Sequence, residues 1–251
     1  MDAPQETRGP TSLLLTATVD VGDTVFVARS NPTQRLKDYE WALNRWLLNK
    51  SVEHIVFCEN SGYDLSSLTA IVTKHRAQDR VELLSFRGEA PRYRGKGYGE
   101  AEAIKYALDR SRALGDSRWY LKVTGRYYVR NGAKFFSYLR RVRPYIMANF
   151  GHDLTWADTR IFGGSVEFLD KYLCPLRSRM DDTAGVYIEH ALAMAVHQAL
   201  FDMRTWSLPP TIPDIEGVYG TSNTRIELPR WRQFARELLF NVKRELYGRH
   251  P

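Results

Sequence analysis

Apolar positions fall into short unbroken runs and longer spaced ones, and the two kinds alternate along the first half of the chain. "SLLLTATVDV" (12–21) is apolar and β-branched without gaps, the pattern of a strand buried on both faces. In "TQRLKDYEWALNRWLLNK", Leu36, Tyr39, Leu43, Trp46 and Leu47 recur at helical spacing. "VEHIVFCEN" then reads as a second buried strand, "LSSLTAIVTKHRAQ" as a helix, and "RVELLSF" as a third strand. A basic, glycine-rich loop, "RGEAPRYRGKGYG", leads into "EAEAIKYALDRSRAL", where good helix formers carry apolar Ile104, Ala107, Leu108 and Leu114.

The fourth run is broken. "RWYLKVTGRYYVRNG" starts as a buried strand, stops at Thr124, Gly125 and Arg126, and resumes at Tyr127, Tyr128 and Val129. A helix in "GAKFFSYLRRVRPY" is expected to stop before Pro144. Short strands follow in "IMANF" and "TRIFGGSVEFL", and a helix with an alanine-rich packing face in "GVYIEHALAMAVHQAL". Strand–helix alternation of this kind predicts one α/β domain, an α/β/α sandwich with a mainly parallel central sheet.

Composition narrows the field a little. Hydrophobic content of 43% and charged content of 26% are those of a folded globular chain. A net charge of +7 favours anionic partners without choosing among them. No window approaches the ~20 apolar residues of a membrane span, and "MDAPQETRGP" is not a signal peptide, so the cytoplasm is the expected compartment. Cys58 and Cys174 are expected to be buried free thiols. His190 and His197 lack the glutamate of a metal-binding helix pair, and no metal site is expected there.

In a parallel sheet the ligand sits beyond the carboxyl ends of the strands. That rule gathers Thr16, Thr18 and Asp20, the group Glu59, Asn60 and Ser61, the glycine-rich loop and Thr124–Gly125–Arg126 on one rim. Lys96, Gly97 and Gly99 are expected to precede a helix N-terminus, where backbone N–H groups favour a phosphate. The same basic and aromatic surface, "PRYRGKGY" included, would also suit a nucleic acid-binding module.

"LKVTGRYYVRN" resembles the segment of GT-A-fold nucleotide-sugar glycosyltransferases in which a strand ends in an acidic Asp-x-Asp motif and then resumes. "LLLTATVDV", "TRIFGGSVEFLDKYL" and "DDTAGVYIEHALAMAV" resemble the family's first strand, its acceptor-side turn and the later acid-led helix. "FCENSGYDLS", "GKGYGEAEAIKYAL" and "KVTGRYYV" together resemble bacterial enzymes of capsule and O-antigen synthesis. The likeness spans roughly residues 11 to 200, but Thr124, Gly125 and Arg126 stand where the metal-holding acids would be.

The resemblance implies a GT-A-like catalytic domain over 11–228, after a flexible tail (1–10) and before a basic amphipathic helix (229–251). It implies a nucleotide-diphosphate sugar donor, UDP favoured over GDP, bound by the rim residues with Lys122. Arg126 would replace the metal at the diphosphate. No cofactor is expected, with a divalent metal on scattered carboxylates left open. The acceptor would be a glycan or polyprenol-linked glycan, with Gly163, Gly164 and His190 on its side. Glu189, Asp158, Asp181 and Asp182 are the candidate bases. Two alternatives stand beside this reading: the nucleic acid-binding module, and a nucleotidyltransferase. The last helix could lie on an anionic membrane through residues 230–249, or pack on the domain with its basic face in solvent.

Overall fold

The computed structural model describes residues 9–24, 26–88, 94–226 and 230–247, with the side chains of 230–235 excepted. The expected tail and the start of the basic loop, including Arg92 and Tyr93, therefore lie almost wholly outside the described residues.

Strands β1 (Thr11–Ala17), β2 (His54–Glu59), β3 (Val81–Ser85) and β4 (Trp119–Thr124) run parallel in the order β3-β2-β1-β4. The sheet continues through β7 (Ile161–Ser165), β6 (Ile146–Met147) and β8 (Trp206–Ser207). β7 is antiparallel to both neighbours, while β6 and β8 are parallel to each other. This is the mainly parallel sheet that the alternation predicts.

Side-chain period two along β1 divides the core. Leu13 and Leu15 pack with Tyr39, Leu43 and Trp46 of α1 (Pro32–Leu47), Leu68 of α2 (Ser66–Lys74) and Phe135 and Phe136 of α5 (Gly132–Val142). Leu14 packs on the other face with Ala103 and Ile104 of α3 (Lys96–Arg110) and Leu192 and Val196 of α7 (Ile188–Phe201). Cys58 and Cys174 are buried free thiols, as expected.

Two readings of the sequence change. The helix after the basic loop starts at Lys96, four residues early, and a separate turn of helix, α4 (Arg112–Asp116), follows it. The broken strand resumes in another sheet. β4 ends at Thr124, Tyr127 N–H closes a turn on Thr124 O at 2.9 Å, and β5 (Tyr128–Val129) pairs with β9 (Ile215–Glu216). The interruption is thus the point where the chain leaves the main sheet.

Gly163 and Gly164, expected on the acceptor side, lie inside β7. A Cβ there would sit 2.5 Å from Tyr120 O and 2.4 Å from Tyr145 O respectively, so their small size serves strand packing. Gly163→Ala is therefore expected to destabilise the fold by about 1–3 kcal/mol, the usual cost of overpacking. Gly115→Ala, with nothing within 4 Å and a helical backbone, should instead gain up to about 1 kcal/mol. Urea unfolding of both variants checks the contrast.

Candidate functional site

A cavity of about 470 Å³ opens at the carboxyl ends of β1, β2 and β4. It is lined by Thr16, Thr18, Asp20, Asn60, Lys96, Gly99, Thr124 and Arg126 among the expected donor residues. Gly97, Lys122 and Gly125 do not line it.

The rim is held by hydrogen bonds that cross between elements. Thr18 donates from Oγ1 to Asn60 Oδ1 (2.6 Å), and Asn60 Nδ2 donates to Gly99 O (2.8 Å), tying β1 and β2 to α3. Glu59 is fully buried at the end of β2, and its carboxylate accepts from the backbone N–H of Val19 (2.9 Å), Ser61 (2.8 Å) and Tyr63 (3.0 Å). A buried carboxylate needs such donors, and these shape the loops that frame the cavity. Arg35, also buried, spends its donors on Thr18 O (2.7 Å), Arg29 O (3.0 Å) and the Tyr39 hydroxyl (3.1 Å).

At the floor of the cavity lies an ion pair whose cation is fully buried. Lys122 Nζ, with no exposed surface, donates to Glu100 Oε1 and to Thr159 O (2.6 Å). Thr16 Oγ1 donates to the same Glu100 oxygen at 2.9 Å. Burial pushes the Glu100 carboxyl up. The charge and hydrogen bond of Lys122, with the Thr16 hydroxyl, more than offset that and hold it below the usual glutamate range. Lys122 is thus a support under the site and not a direct ligand group.

Gly125 is explained by packing. Its N–H donates to Thr16 O at 2.8 Å, and a Cβ would lie 2.7 Å from that oxygen. The glycine lets the turn close onto β1, where a ligand had been expected. Arg126 does face the cavity. Its Nε donates to Val218 O at 3.0 Å, its guanidinium lies 5.3 Å from the Tyr127 ring centroid, and it packs close to Gly220. The side chain is therefore aimed by the 218–220 segment.

The N-terminus of α3 is already filled. Asp182 Oδ2 accepts from Lys96 N–H (3.0 Å) and Gly97 N–H (3.4 Å), and burial raises its carboxyl. A Cβ at Gly95, where φ is +88°, would strike the Asp182 side chain at 2.4 Å. The expected phosphate role of these backbone groups is thus taken by an internal carboxylate, leaving the exposed Lys96 side chain as this loop's contribution.

None of Glu189, Asp158 and Asp181 lines the cavity. Asp158 is held in a bidentate pair with Arg160 (2.9 and 2.7 Å). Asp181 caps a turn through Thr183 N–H at 2.9 Å and Thr183 Oγ1 at 2.6 Å. Glu189 accepts from Thr159 Oγ1 at 3.0 Å, and its second oxygen takes no hydrogen bond from the described residues. His190 lines a separate groove with His197 and Met194 on α7.

Among the described residues no three His, Cys, Asp or Glu side chains gather to hold a metal ion. Glu100, the carboxylate on the cavity floor, is engaged by Lys122 and Thr16. Glu100, Arg35, Tyr39, Arg87, Gly220 and Thr221 also line the cavity without having been singled out in the sequence. Arg35 was findable, because it precedes Tyr39 by four residues and shares its helical face.

No protein-family model and no curated protein sequence matches the chain. Solved structures do. The chain resembles the mannosyltransferase PcManGT of Pyrobaculum calidifontis, determined with GDP-Man and Mn2+, at TM-score 0.51 and 10% identity, over 95% of this chain and 65% of that one. It also aligns with the glycosyltransferase GlyE of Streptococcus pneumoniae (0.47, 8%, 80% of this chain and 45% of that one). A cytidylyltransferase of Leptospira borgpetersenii aligns at 0.44 and 14%, covering 88% of this chain and 82% of that one. At such identities the likeness is one of fold alone: a mainly parallel α/β sheet flanked by helices.

Lys122→Met tests the support under the site. It leaves Glu100, whose side chain is 20% exposed, without its cation, and about 3 kcal/mol of stability should be lost, the lower end of the cost of breaking a buried pair. The pH dependence follows from the lowered Glu100 value. In the parent, this contribution is complete above the unfolded glutamate pKa of about 4.3 and is lost as pH falls through the lower folded value. In the variant the offset is gone, so acid unfolding should begin at higher pH. Circular dichroism against pH on both proteins reads the shift.

Proposed function

We propose that the chain is a glycosyltransferase that takes a sugar from a nucleotide-diphosphate donor bound in the cavity. The observation that carries this reading is Arg126. It is pinned by Val218 O where the broken strand leaves the sheet, and it shares the cavity with the cations Lys96 and Arg87. Breaking the glycosidic bond loads negative charge onto the diphosphate, and a guanidinium aimed at that point stabilises it. Thr18, Asp20 and Asn60 supply polar groups for the nucleoside end. UDP is the favoured nucleotide, and a glycan or lipid-linked glycan of surface polysaccharide synthesis is the proposed acceptor.

For an inverting reaction, Glu189 is the proposed general base. The first turn of α7 abuts that of α3, with Ile188 N 3.0 Å from where a Gly97 Cβ would lie. Glu189 stands outside the cavity lining, and one of its carboxylate oxygens takes no hydrogen bond from the described residues. Glu189→Gln should lower kcat by about 10²–10⁴-fold with donor affinity little changed. Near-normal turnover would remove Glu189 from the reaction.

The class is tested by thermal shift with nucleotides and nucleotide sugars, then by product analysis. A ligand that binds the folded state raises Tm by mass action. Release of nucleoside diphosphate, persisting in excess EDTA, is the expected result. Release of pyrophosphate from a nucleoside triphosphate would establish the nucleotidyltransferase reading. Salt-sensitive oligonucleotide binding without nucleotide binding would establish the nucleic acid-binding module.

Arg126→Lys is expected not to be conservative. An ammonium keeps the charge but loses both the bidentate fork and the bond to Val218 O. Losing a charge-assisted hydrogen bond costs about 1.5–3 kcal/mol, roughly 10- to 150-fold. The loss should fall more on kcat than on donor affinity, and nucleoside binding should be unchanged. If Arg126→Lys and Arg126→Ala both bind the nucleoside diphosphate and turn over like the parent, the proposal fails.

A further inference from the structure

The apolar stripe of the C-terminal helix is not packed on the domain. In α8 (Arg230–Tyr247), Leu238, Leu239, Val242 and Leu246 are 58%, 70%, 51% and 73% exposed. The contacts with the domain come from another side. Phe240 is buried, Lys243 Nζ donates to Phe150 O (2.7 Å) and Asn149 Oδ1 (3.1 Å), and Arg244 Nη1 donates to Pro210 O (2.7 Å). The helix is thus anchored by its cations and turns an apolar arc to the outside.

Beside this arc lies a cleft of about 400 Å³, separate from the donor cavity. Arg130, Arg160, Arg225 and Arg236 line it, against the acids Asp214 and Glu216. Asp214 is taken by Arg130 in a bidentate pair (2.8 and 2.7 Å), Glu216 by Arg45 (3.3 Å), and Arg160 by Asp158. Arg225 and Arg236 have no carboxylate partner among the described residues. Two guanidiniums in one concavity, with no carboxylate partner among the described residues, suit an anion, and their planar forks match phosphate oxygens. Arg236 precedes Leu239 by three residues, so cleft and arc meet along the helix.

We propose that this cleft and the arc of α8 together dock the protein on an anionic phospholipid bilayer. The headgroup phosphate sits on Arg225 and Arg236, and Leu238, Leu239, Val242 and Leu246 enter the headgroup–acyl boundary. A phosphate joined to an apolar chain satisfies both features at once; a soluble phosphate uses the cleft and leaves the leucines unexplained. A second copy of the chain is a poorer occupant. Four side chains fall far short of the ~20–30 residues per side of a stable interface, and a like copy brings the same positive charge. The assignment does not depend on what the donor cavity holds.

The test is co-sedimentation of the full chain with vesicles of phosphatidylcholine alone and with added phosphatidic acid. The parent should sediment with the anionic vesicles and not with the neutral ones. Arg225→Ala/Arg236→Ala should weaken binding by about 30-fold, from the loss of two cations near the surface. Leu239→Ser/Leu246→Ser should weaken it by more than about tenfold through lost apolar burial. All these positions are exposed, so both variants should keep the parental Tm. Absence of sedimentation by the parent, or parental binding by either variant, overturns the proposal. So does displacement by inorganic pyrophosphate with the leucine variant unaffected, which would make the cleft a soluble-phosphate site. Binding of a single-stranded oligonucleotide that needs Arg225 and Arg236 but not the leucines, without vesicle binding, would assign the cleft to nucleic acid and overturn it equally.

Discussion

The buried contact between Lys122 and Glu100 joins the parts that make the site. Lys122 projects from the central strand β4, Glu100 from the first turns of α3, and Thr16 from the neighbouring strand β1, all meeting at one carboxylate oxygen. Thr159 O completes the shell from the segment that leads into β7. An ammonium with no exposed surface is tolerable only if its charge and donors are matched. The match fixes how far α3 stands from the sheet, and therefore the depth of the cavity whose floor Glu100 forms. A hydrophobic pair could fill the same volume. It would not leave a polar floor under the cavity.

A second carboxylate, this one fully buried, governs the rim in the same way. Glu59 draws the N–H groups of Val19, Ser61 and Tyr63 onto itself, so the chain beyond β1 and beyond β2 bends to a common point. The third, Asp182, fills the N-terminus of α3. With these backbone donors taken by internal acids, the cations that line the cavity are side chains: Arg126, Lys96 and Arg87. Side-chain cations can be repositioned by the segments that carry them, and Arg126 hangs from the 218–220 segment by its bond to Val218 O. Tyr219 of this segment lines the arginine cleft, while Gly220 and Thr221 line the cavity at the strand ends. One short stretch of chain thus forms the wall between the two.

Sequence patterning carries the parallel half of the fold because each strand there is buried on both faces and each helix on one. "SLLLTATVDV" and "VEHIVFCEN" are apolar for that reason, and the rule that ligands lie beyond parallel strand ends then places Thr16, Thr18, Asp20, Asn60 and Arg126 together correctly. What escapes such reading is set by long-range contact. The two-residue strands β8 and β9 are too short to show a period. The glycines at 125, 163 and 164 look like ligand-binding features until the carbonyl oxygens of Thr16, Tyr120 and Tyr145 are seen against them. Asp182 reads in sequence as a candidate base, and its capping of α3 joins residues 86 positions apart. Glu100 looked like an ordinary helix former.

The C-terminal helix shows the limit of amphipathic reasoning most clearly. A stripe of leucines says that one face avoids water, but not which neighbour provides the shelter. The expectation that the stripe packs on the domain assumes that apolar burial decides the docking. Here Phe240 alone is buried among the described apolar side chains of α8, and Lys243 and Arg244 reach backbone carbonyls of the domain. Those bonds hold the helix with the stripe turned outward. Burial acts on the Lys243 ammonium as expected, pushing its value down; a lysine spent this way on two oxygens of the 149–150 segment has an anchoring role that a solvated basic face would not need. Orientation of this helix is therefore set by its cations, and its leucines are left for whatever apolar phase the protein meets.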